Sequence, residues 1–395
     1  MILKPRFKDY ICTVSHPEGC KKNVLDQIEY TLSKNNIKGS KHALIIGAST
    51  GYGLASRIAS TFGMGADTIG VIFEKPASER RTASSGWYNT AAFEEAAVKS
   101  GFNPITINGD AFSNEVKETV IEAIKKNFGK IDLIVYSLAS PRRKDPASDV
   151  IYHSVLKTID EVYENKSVDF HNKTVFNVKI DTASNSEIEE TIKVMGGEDW
   201  KLWIEKLKEA DVLDHGVKTL AYSYIGPELT HAIYKNGTIG KAKANLELAA
   251  NDLNNYLSDI NGTAYVSINR ALVTQSSMAI PVVPLYISLL NKIMKEKNIN
   301  EGCIQQIVRL FSDILYKENV PVDTDGRIRL DDLEMKEDVQ KQISELWDKI
   351  STENLKELTD IDNFEDEFFK LFGFNRSDVD YSLDVNQNVE IKNLL

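Results

Sequence analysis

Short apolar runs alternate with longer polar, helix-forming stretches along the first third of the chain. Ala43–Ile46 is wholly apolar and is followed at once by glycine. A run that short, without polar alternation, predicts a strand covered on both faces of a parallel sheet. Leu54–Phe62 predicts a helix, Thr68–Phe73 a second strand and Ala91–Ser100 a helix. Asn103–Ile107 predicts a third strand, Asn114–Asn127 a helix and Ile131–Tyr136 a fourth strand. Ahead of them, residues 1–40 are polar, with one amphipathic helix near Val24–Lys34. Strict strand–helix alternation belongs to the α/β class and builds a doubly wound parallel sheet.

The rhythm breaks after Pro141. Residues 141–218 are polar and irregular, with a hairpin expected near Phe170–Ile180 and a helix near Trp200–Glu209. Order resumes with a strand at Lys218–Tyr222, a long helix at Gly240–Ser258 and a strand at Gly262–Leu272. Residues 281–395 are helical and charged, with a short strand at Arg327–Leu330. The expected organisation is one domain over 1–395. It has a core at 41–280, an insertion at 141–218 shaping a pocket, and a helical part at 281–395 packed on the core.

Composition narrows the class. An apolar fraction of 42% supports a real core. A net charge of -11 argues against binding a nucleic-acid backbone. The apolar run Met278–Leu290 is too short to span a bilayer and is broken by Pro281 and Pro284. The N-terminal segment, with Lys4, Arg6 and Lys8, lacks the apolar stretch of a secretory signal. Cys12, Cys20 and Cys303 read as reduced thiols, and no Cys/His cluster has metal spacing. A cytoplasmic protein without metal, nucleic acid or membrane is expected.

The chemistry starts at Gly47-Ala48-Ser49-Thr50-Gly51-Tyr52-Gly53, between the first strand and the first core helix. Glycine lets a pyrophosphate approach the backbone, and the helix N-terminus supplies free N–H groups and partial positive charge. The spacing is Gly-x-x-x-Gly-x-Gly, and an ordinary glycine-rich turn is the plain alternative. Phe73-Glu74 follows the second strand. A carboxylate there can accept both adenosine-ribose hydroxyls and would repel a 2′-phosphate, which favours NADH over NADPH. A solvated surface charge is the alternative for Glu74. Asp110-Ala111 ends the third strand, near the expected adenine, and Leu138-Ala139 follows the fourth. Leu272-Val273-Thr274 ends a later strand and could hold a nicotinamide carboxamide. The core thus reads as dinucleotide-binding.

A hydride reductase needs an acid near its acceptor, and a tyrosine beside a lysine is a common solution. Tyr234 and Lys243 form Tyr-x8-Lys at the start of the long helix, and Tyr224 lies just past the preceding strand. Lys241 is an equally placed lysine, and a packing tyrosine is the alternative for Tyr234. Tyr30/Lys34 precedes the glycine turn, and Tyr286/Lys295 falls in an apolar helix, so both are decoys.

Several of these strings together resemble one family. They are Gly47–Gly53, Tyr136–Pro141, Met195–Trp200, Ala221–Pro227, Gly237–Lys243 and the opening His16–Lys22. They resemble the trans-2-enoyl-CoA reductases, also called FabV-type enoyl-ACP reductases, over nearly the whole chain. The resemblance implies an enlarged short-chain dehydrogenase type of Rossmann fold, acting as a monomer. It implies NADH-dependent reduction of the 2,3-double bond of an enoyl thioester of coenzyme A or acyl-carrier protein, in fatty acid metabolism. It makes Tyr234 the proton donor, Tyr224 a substrate contact and Lys243, rather than Lys241, a cofactor contact. It makes Gly47, Ala48, Ser49, Thr50, Gly51, Tyr52, Phe73, Glu74, Asp110, Ala111, Leu138, Ala139, Leu272, Val273 and Thr274 the NAD-binding positions.

Two rivals stand beside that reading. A 3-oxoacyl thioester ketoreductase of the same fold would carry Tyr-x3-Lys, which occurs here only at the misplaced Tyr30/Lys34. An NADH-sensing protein would have no need of Tyr234 with Lys243. Asp323-Thr324-Asp325-Gly326 lacks the later ligands of a calcium loop and reads as a turn. Arg142, Arg143 and Lys144 are expected to form a basic patch for coenzyme A phosphates or an acidic carrier protein, and Trp200 and Trp203 to pack an insertion helix.

Overall fold

A computed structural model describes residues 1–8, 11–34 and 37–395. Seven strands form the central sheet: β1 (His42–Ile46), β2 (Asp67–Ile72), β3 (Ile105–Asn108), β4 (Ile131–Tyr136), β5 (Leu213–Ser223), β6 (Thr263–Ile268) and β7 (Ile328–Arg329). Their order is β3-β2-β1-β4-β5-β6-β7, and every neighbouring pair is parallel. The chain direction across the sheet reverses between β1 and β4. The loops leaving these two strands diverge there and open a crevice at their carboxyl ends.

The longer helices are α1 (Pro17–Leu32), α2 (Gly51–Ile58), α3 (Ser85–Lys99), α4 (Asn114–Asn127), α5 (Asn185–Met195), α6 (Glu198–Glu209), α7 (Thr238–Tyr256), α8 (Val283–Glu296), α9 (Cys303–Leu310), α10 (Glu337–Trp347) and α11 (Ile361–Lys370). The pleat of β1 shows why its sequence is apolar throughout. Ala43 and Ile45 enter one apolar cluster, with residues of α1, α2, α3 and α9. Leu44 and Ile46 enter another, with residues of α4, α6 and α7. Period-2 alternation thus feeds two helix layers, and a polar residue on either face would be buried.

Some elements differ from expectation. The strand expected to run to Leu272 ends at Ile268, and the following residues leave the sheet to line the crevice. Helix α5 lies in the stretch expected to be irregular; only Thr191 and Val194 of it are buried, so its apolar signal is thin. Helix α6 is a core crossover rather than insertion packing. Trp200 and Trp203 are fully buried beneath the sheet, with their indole N–H groups donating to Thr219 Oγ1 at 2.8 Å and Ala111 O at 3.1 Å. The hairpin falls at Tyr163–Asp169 and Thr174–Ile180, and joins α8, α10 and α11 in a third apolar cluster. Lys166 on it donates to the carbonyls of Trp347, Asp348 and Ile350, just past α10, where a cation suits the helix dipole.

A buried ion pair ties three layers together. Lys117 Nζ contacts Asp199 Oδ1 at 2.8 Å, and also donates to the carbonyls of Ala111 and Phe112. Tyr136, at the end of β4, donates to Asp199 Oδ2 at 3.1 Å. Burial pulls the lysine down and pushes the carboxylate up, and their mutual attraction with these extra bonds opposes both shifts. No helix is long and apolar enough to cross a membrane, and no metal-binding group of His, Cys, Asp or Glu occurs, among the described residues. Removing one partner leaves an unpaired buried charge, so Lys117→Met should lower the unfolding free energy by about 3–5 kcal/mol in denaturant titration. A loss under about 1 kcal/mol would contradict the structural role.

Candidate active site

The glycine turn sits at the end of β1, against the end of β4. Gly47 has φ +85°, and a Cβ there would lie 2.1 Å from the Ser137 carbonyl oxygen. A Cβ on Gly53 would lie 1.9 Å from the Gly47 carbonyl oxygen. Both contacts are backbone on backbone, so neither glycine can be replaced without moving the chain. Gly51 is the opposite case: its φ is +53°, and nothing lies within 4 Å of where its Cβ would be. Thr50 makes no side-chain capping bond, which leaves the leading N–H groups of α2 uncapped by the protein. The turn is closed toward the sheet and open toward the crevice, as a pyrophosphate cradle requires. Its residues fit a dinucleotide.

The crevice is a cleft of about 1760 Å³ across the carboxyl ends of the strands. Gly47, Ser49, Thr50, Gly51, Tyr52, Phe73, Glu74, Leu138, Ala139, Tyr224, Tyr234, Lys243, Leu272, Val273 and Thr274 all line it. Ala48, Asp110 and Ala111 do not. Ala48 and Ala111 are buried behind the wall, and Asp110 Oδ1 accepts the Phe112 N–H at 3.0 Å. Tyr52 is turned inward at its tip, its hydroxyl 2.8 Å from Gln306 Oε1 and 3.1 Å from the Arg270 carbonyl, with one proton for the two acceptors.

Glu74, expected at the adenosine ribose, is held in place on the cleft wall. Ser49 Oγ donates to its Oε1 at 2.6 Å, and the Asn108 side chain bonds its backbone N–H and carbonyl. Gly86, in the first turn of α3, makes room for this carboxylate; a Cβ there would lie 2.0 Å from Oε1. Phe73 beside it is 77% exposed, an apolar platform at the cleft mouth.

The tyrosines occupy the other wall. Tyr224 and Tyr234 meet edge to face, with ring centroids 4.9 Å apart and planes at 77°. Tyr234 is 8% exposed and lines the cleft, and its hydroxyl bonds to no protein group among the described residues. Burial pushes its phenol well above the usual range. A lysine ammonium close to a phenol would lower the phenol's pKa, but Lys243 instead donates to the Tyr222 carbonyl at 3.2 Å, and desolvation draws its own pKa down to about 8. Lys241 is exposed and does not line the cleft, whereas Lys243 does, which separates the two lysines.

Sequence reasoning missed Glu334. It is fully buried in the turn after β7, where it accepts the Tyr224 hydroxyl at 2.9 Å. No periodicity or motif marks it, because it reaches the cleft wall from the C-terminal part of the chain. Arg143 of the expected basic patch also turns inward. It is 1% exposed, donates to Glu198 and the Lys193 carbonyl, and lies over the Phe112 ring. Lys144 pairs with Asp149, so only Arg142 stays an unpaired surface cation among the three.

This sheet order, with a glycine cradle at the reversal point and a tyrosine and a lysine on the cleft wall, defines a Rossmann enzyme of the short-chain dehydrogenase type. The chain belongs to the trans-2-enoyl-CoA reductase family. Family models match residues 81–316 as the trans-2-enoyl-CoA reductase catalytic region and residues 2–79 as its NAD(P)H binding domain. A trans-2-enoyl-CoA reductase [NADH] of Ruminiclostridium cellulolyticum is 54% identical over 394 residues, covering 100% of both chains. An enoyl-[acyl-carrier-protein] reductase [NADH] of Flavobacterium johnsoniae is 54% identical over 395 residues, also covering 100% of both. The crystal structure of Treponema denticola trans-2-enoyl-CoA reductase in complex with NAD superposes with a TM-score of 0.95 at 48% identity, covering 99% of this chain and 100% of that one.

A third model matches residues 322–385 as an enoyl reductase FAD binding domain. Those residues hold β7, α10 and α11, packed on α8, and contain no strand–glycine–helix turn among the described residues. Eight of them, between Glu367 and Asp378, line the same cleft, and with no phosphate-binding glycine turn of their own they do not form a separate flavin site.

Glu74 gives the cofactor test. Glu74→Ser removes the carboxylate that would repel a 2′-phosphate, and should narrow the ratio of kcat/KM for NADH over NADPH by roughly tenfold or more. An unchanged ratio would contradict the ribose assignment.

Proposed function

We infer that this chain reduces the 2,3-double bond of trans-2-enoyl thioesters to saturated acyl thioesters, with NADH as reductant, in fatty acid metabolism. The observation that carries the reading is Tyr234: a buried phenol with no protein partner for its hydroxyl, on the wall of the cleft that the glycine turn opens. Bound NADH supplies the hydride that the β-carbon accepts. Charge then develops on the thioester oxygen as an enolate, and a donor aimed at it acts mostly in the transition state. Tyr234 is that donor and the source of the proton for the α-carbon. Burial keeps Tyr234 a protonated phenol at neutral pH, so a proton is there to give.

The Tyr224 hydroxyl proton points to Glu334, so Tyr224 serves as a wall of the substrate site and not as a second donor. Lys243 would hold the nicotinamide ribose, and Leu272–Thr274 the carboxamide. Ser49 and Glu74 would hold the adenosine ribose. With Arg143 buried and Lys144 paired, little of the expected basic patch remains for either the coenzyme A phosphates or an acidic carrier protein. The cleft is lined from one chain, which supports a monomer.

NADH consumption with crotonyl-CoA tests the reaction. The wild type should turn over, and Tyr234→Phe should lose at least about a hundredfold in kcat. NADH binding by fluorescence titration should survive in that variant. Near-normal turnover by Tyr234→Phe would remove the tyrosine from its role, and no consumption with any enoyl thioester would return the protein to NADH sensing.

A further inference from the structure

The turn between β7 and α10 brings Glu334 beneath the ends of β5 and β6. The N–H groups of Leu330 and Asp331 both donate to the Ile268 carbonyl, and the Met335 N–H to that of Asp331. The carboxylate is then met by donors from three distant parts of the chain. Its Oε1 accepts the hydroxyls of Tyr224 at 2.9 Å and Tyr286 at 2.7 Å. Its Oε2 accepts the Ala271 N–H at 2.8 Å. Gln340 Nε2 closes the network, donating to the Glu334 carbonyl at 2.7 Å and the Tyr286 hydroxyl at 3.1 Å. All three partners of the carboxylate donate, so the ionised, acceptor-only form satisfies every one.

A phenol has a single proton to give. Tyr224 gives its proton to Glu334, while that of Tyr234 stays free for the cleft. The other oxygen of the same carboxylate holds the backbone immediately before Leu272–Thr274. One buried group therefore fixes both a ring on the substrate wall and the segment read as the nicotinamide shelf.

We propose that Glu334 is the positioning residue of this active site, locking Tyr224 as a non-donating wall against Tyr234 and registering the Leu272–Thr274 segment with it. The proposal rests on the enoyl-reductase reading and explains how one of two touching phenols becomes the donor. It also gives the C-terminal part a share in the chemistry, although none of its residues needs to touch substrate.

A double-mutant cycle tests it. In Glu334→Gln the amide nitrogen replaces one acceptor with a donor, so the three incoming bonds cannot all be kept. Glu334→Gln and Tyr224→Phe should each lower kcat on crotonyl-CoA by between about tenfold and a hundredfold. The double variant should be no slower than the slower single. NADH affinity should weaken in Glu334→Gln and stay unchanged in Tyr224→Phe, a split that general loosening of the fold would not produce. If Glu334→Gln fails to fold, Tyr286→Phe keeps Glu334 and releases one side of Oε1. Its loss of kcat should then vanish in the Tyr224→Phe background. Losses that multiply in either cycle overturn the proposal alone. A wild type without turnover on enoyl thioesters overturns the reductase reading and the proposal with it.

Discussion

The contact between the Gly47 backbone and the Ser137 carbonyl leaves no room for a side chain, and the cleft exists because of it. Parallel strands bring the ends of β1 and β4 side by side, and the glycine turn lets α2 start close to both. Gly53, against the Gly47 carbonyl, fixes where that helix begins. Of these three glycines, Gly51 is the one that faces open space. A helix N-terminus with uncapped N–H groups is thereby presented at the point where the loops of the sheet part.

Burial then shapes the wall opposite. A phenol removed from water holds its proton more tightly, and an ammonium removed from water holds its proton less tightly. Tyr234 and Lys243 are shifted in those two directions. Tyr234 thus stays a phenol with a proton to give, which a lysine-activated phenolate would lack. Glu334 adds the asymmetry between the two tyrosines. Touching aromatic rings look alike by composition, but only one has its hydroxyl proton engaged by a buried carboxylate.

Much of this was legible in the sequence where the physics is local. The first four strands follow from runs such as Ala43–Ile46 and Ile131–Tyr136, whose faces are both covered. The glycine turn follows from spacing between a strand and a helix. Other features depend on partners far along the chain. Helix α5 buries too little to show an apolar stripe, and α6 is revealed as a crossover only by the sheet above Trp200 and Trp203. Arg143 reads as surface charge beside Arg142 and Lys144, yet Glu198 and the Lys193 carbonyl draw it inside. Glu334 has no local signature at all; its meaning comes from Tyr224, Tyr286 and Ala271.

If one cleft delivers hydride to the β-carbon of an enoyl thioester and a proton to its α-carbon, two labels must separate. Isotope tracing reads them, with NADH deuterated at its transferring position in ordinary water and unlabelled NADH in heavy water. Butyryl-CoA formed from crotonyl-CoA should carry deuterium at the β-carbon in the first case and at the α-carbon in the second. Deuterium at the α-carbon from the cofactor, or at the β-carbon from solvent, would contradict the reductase reading.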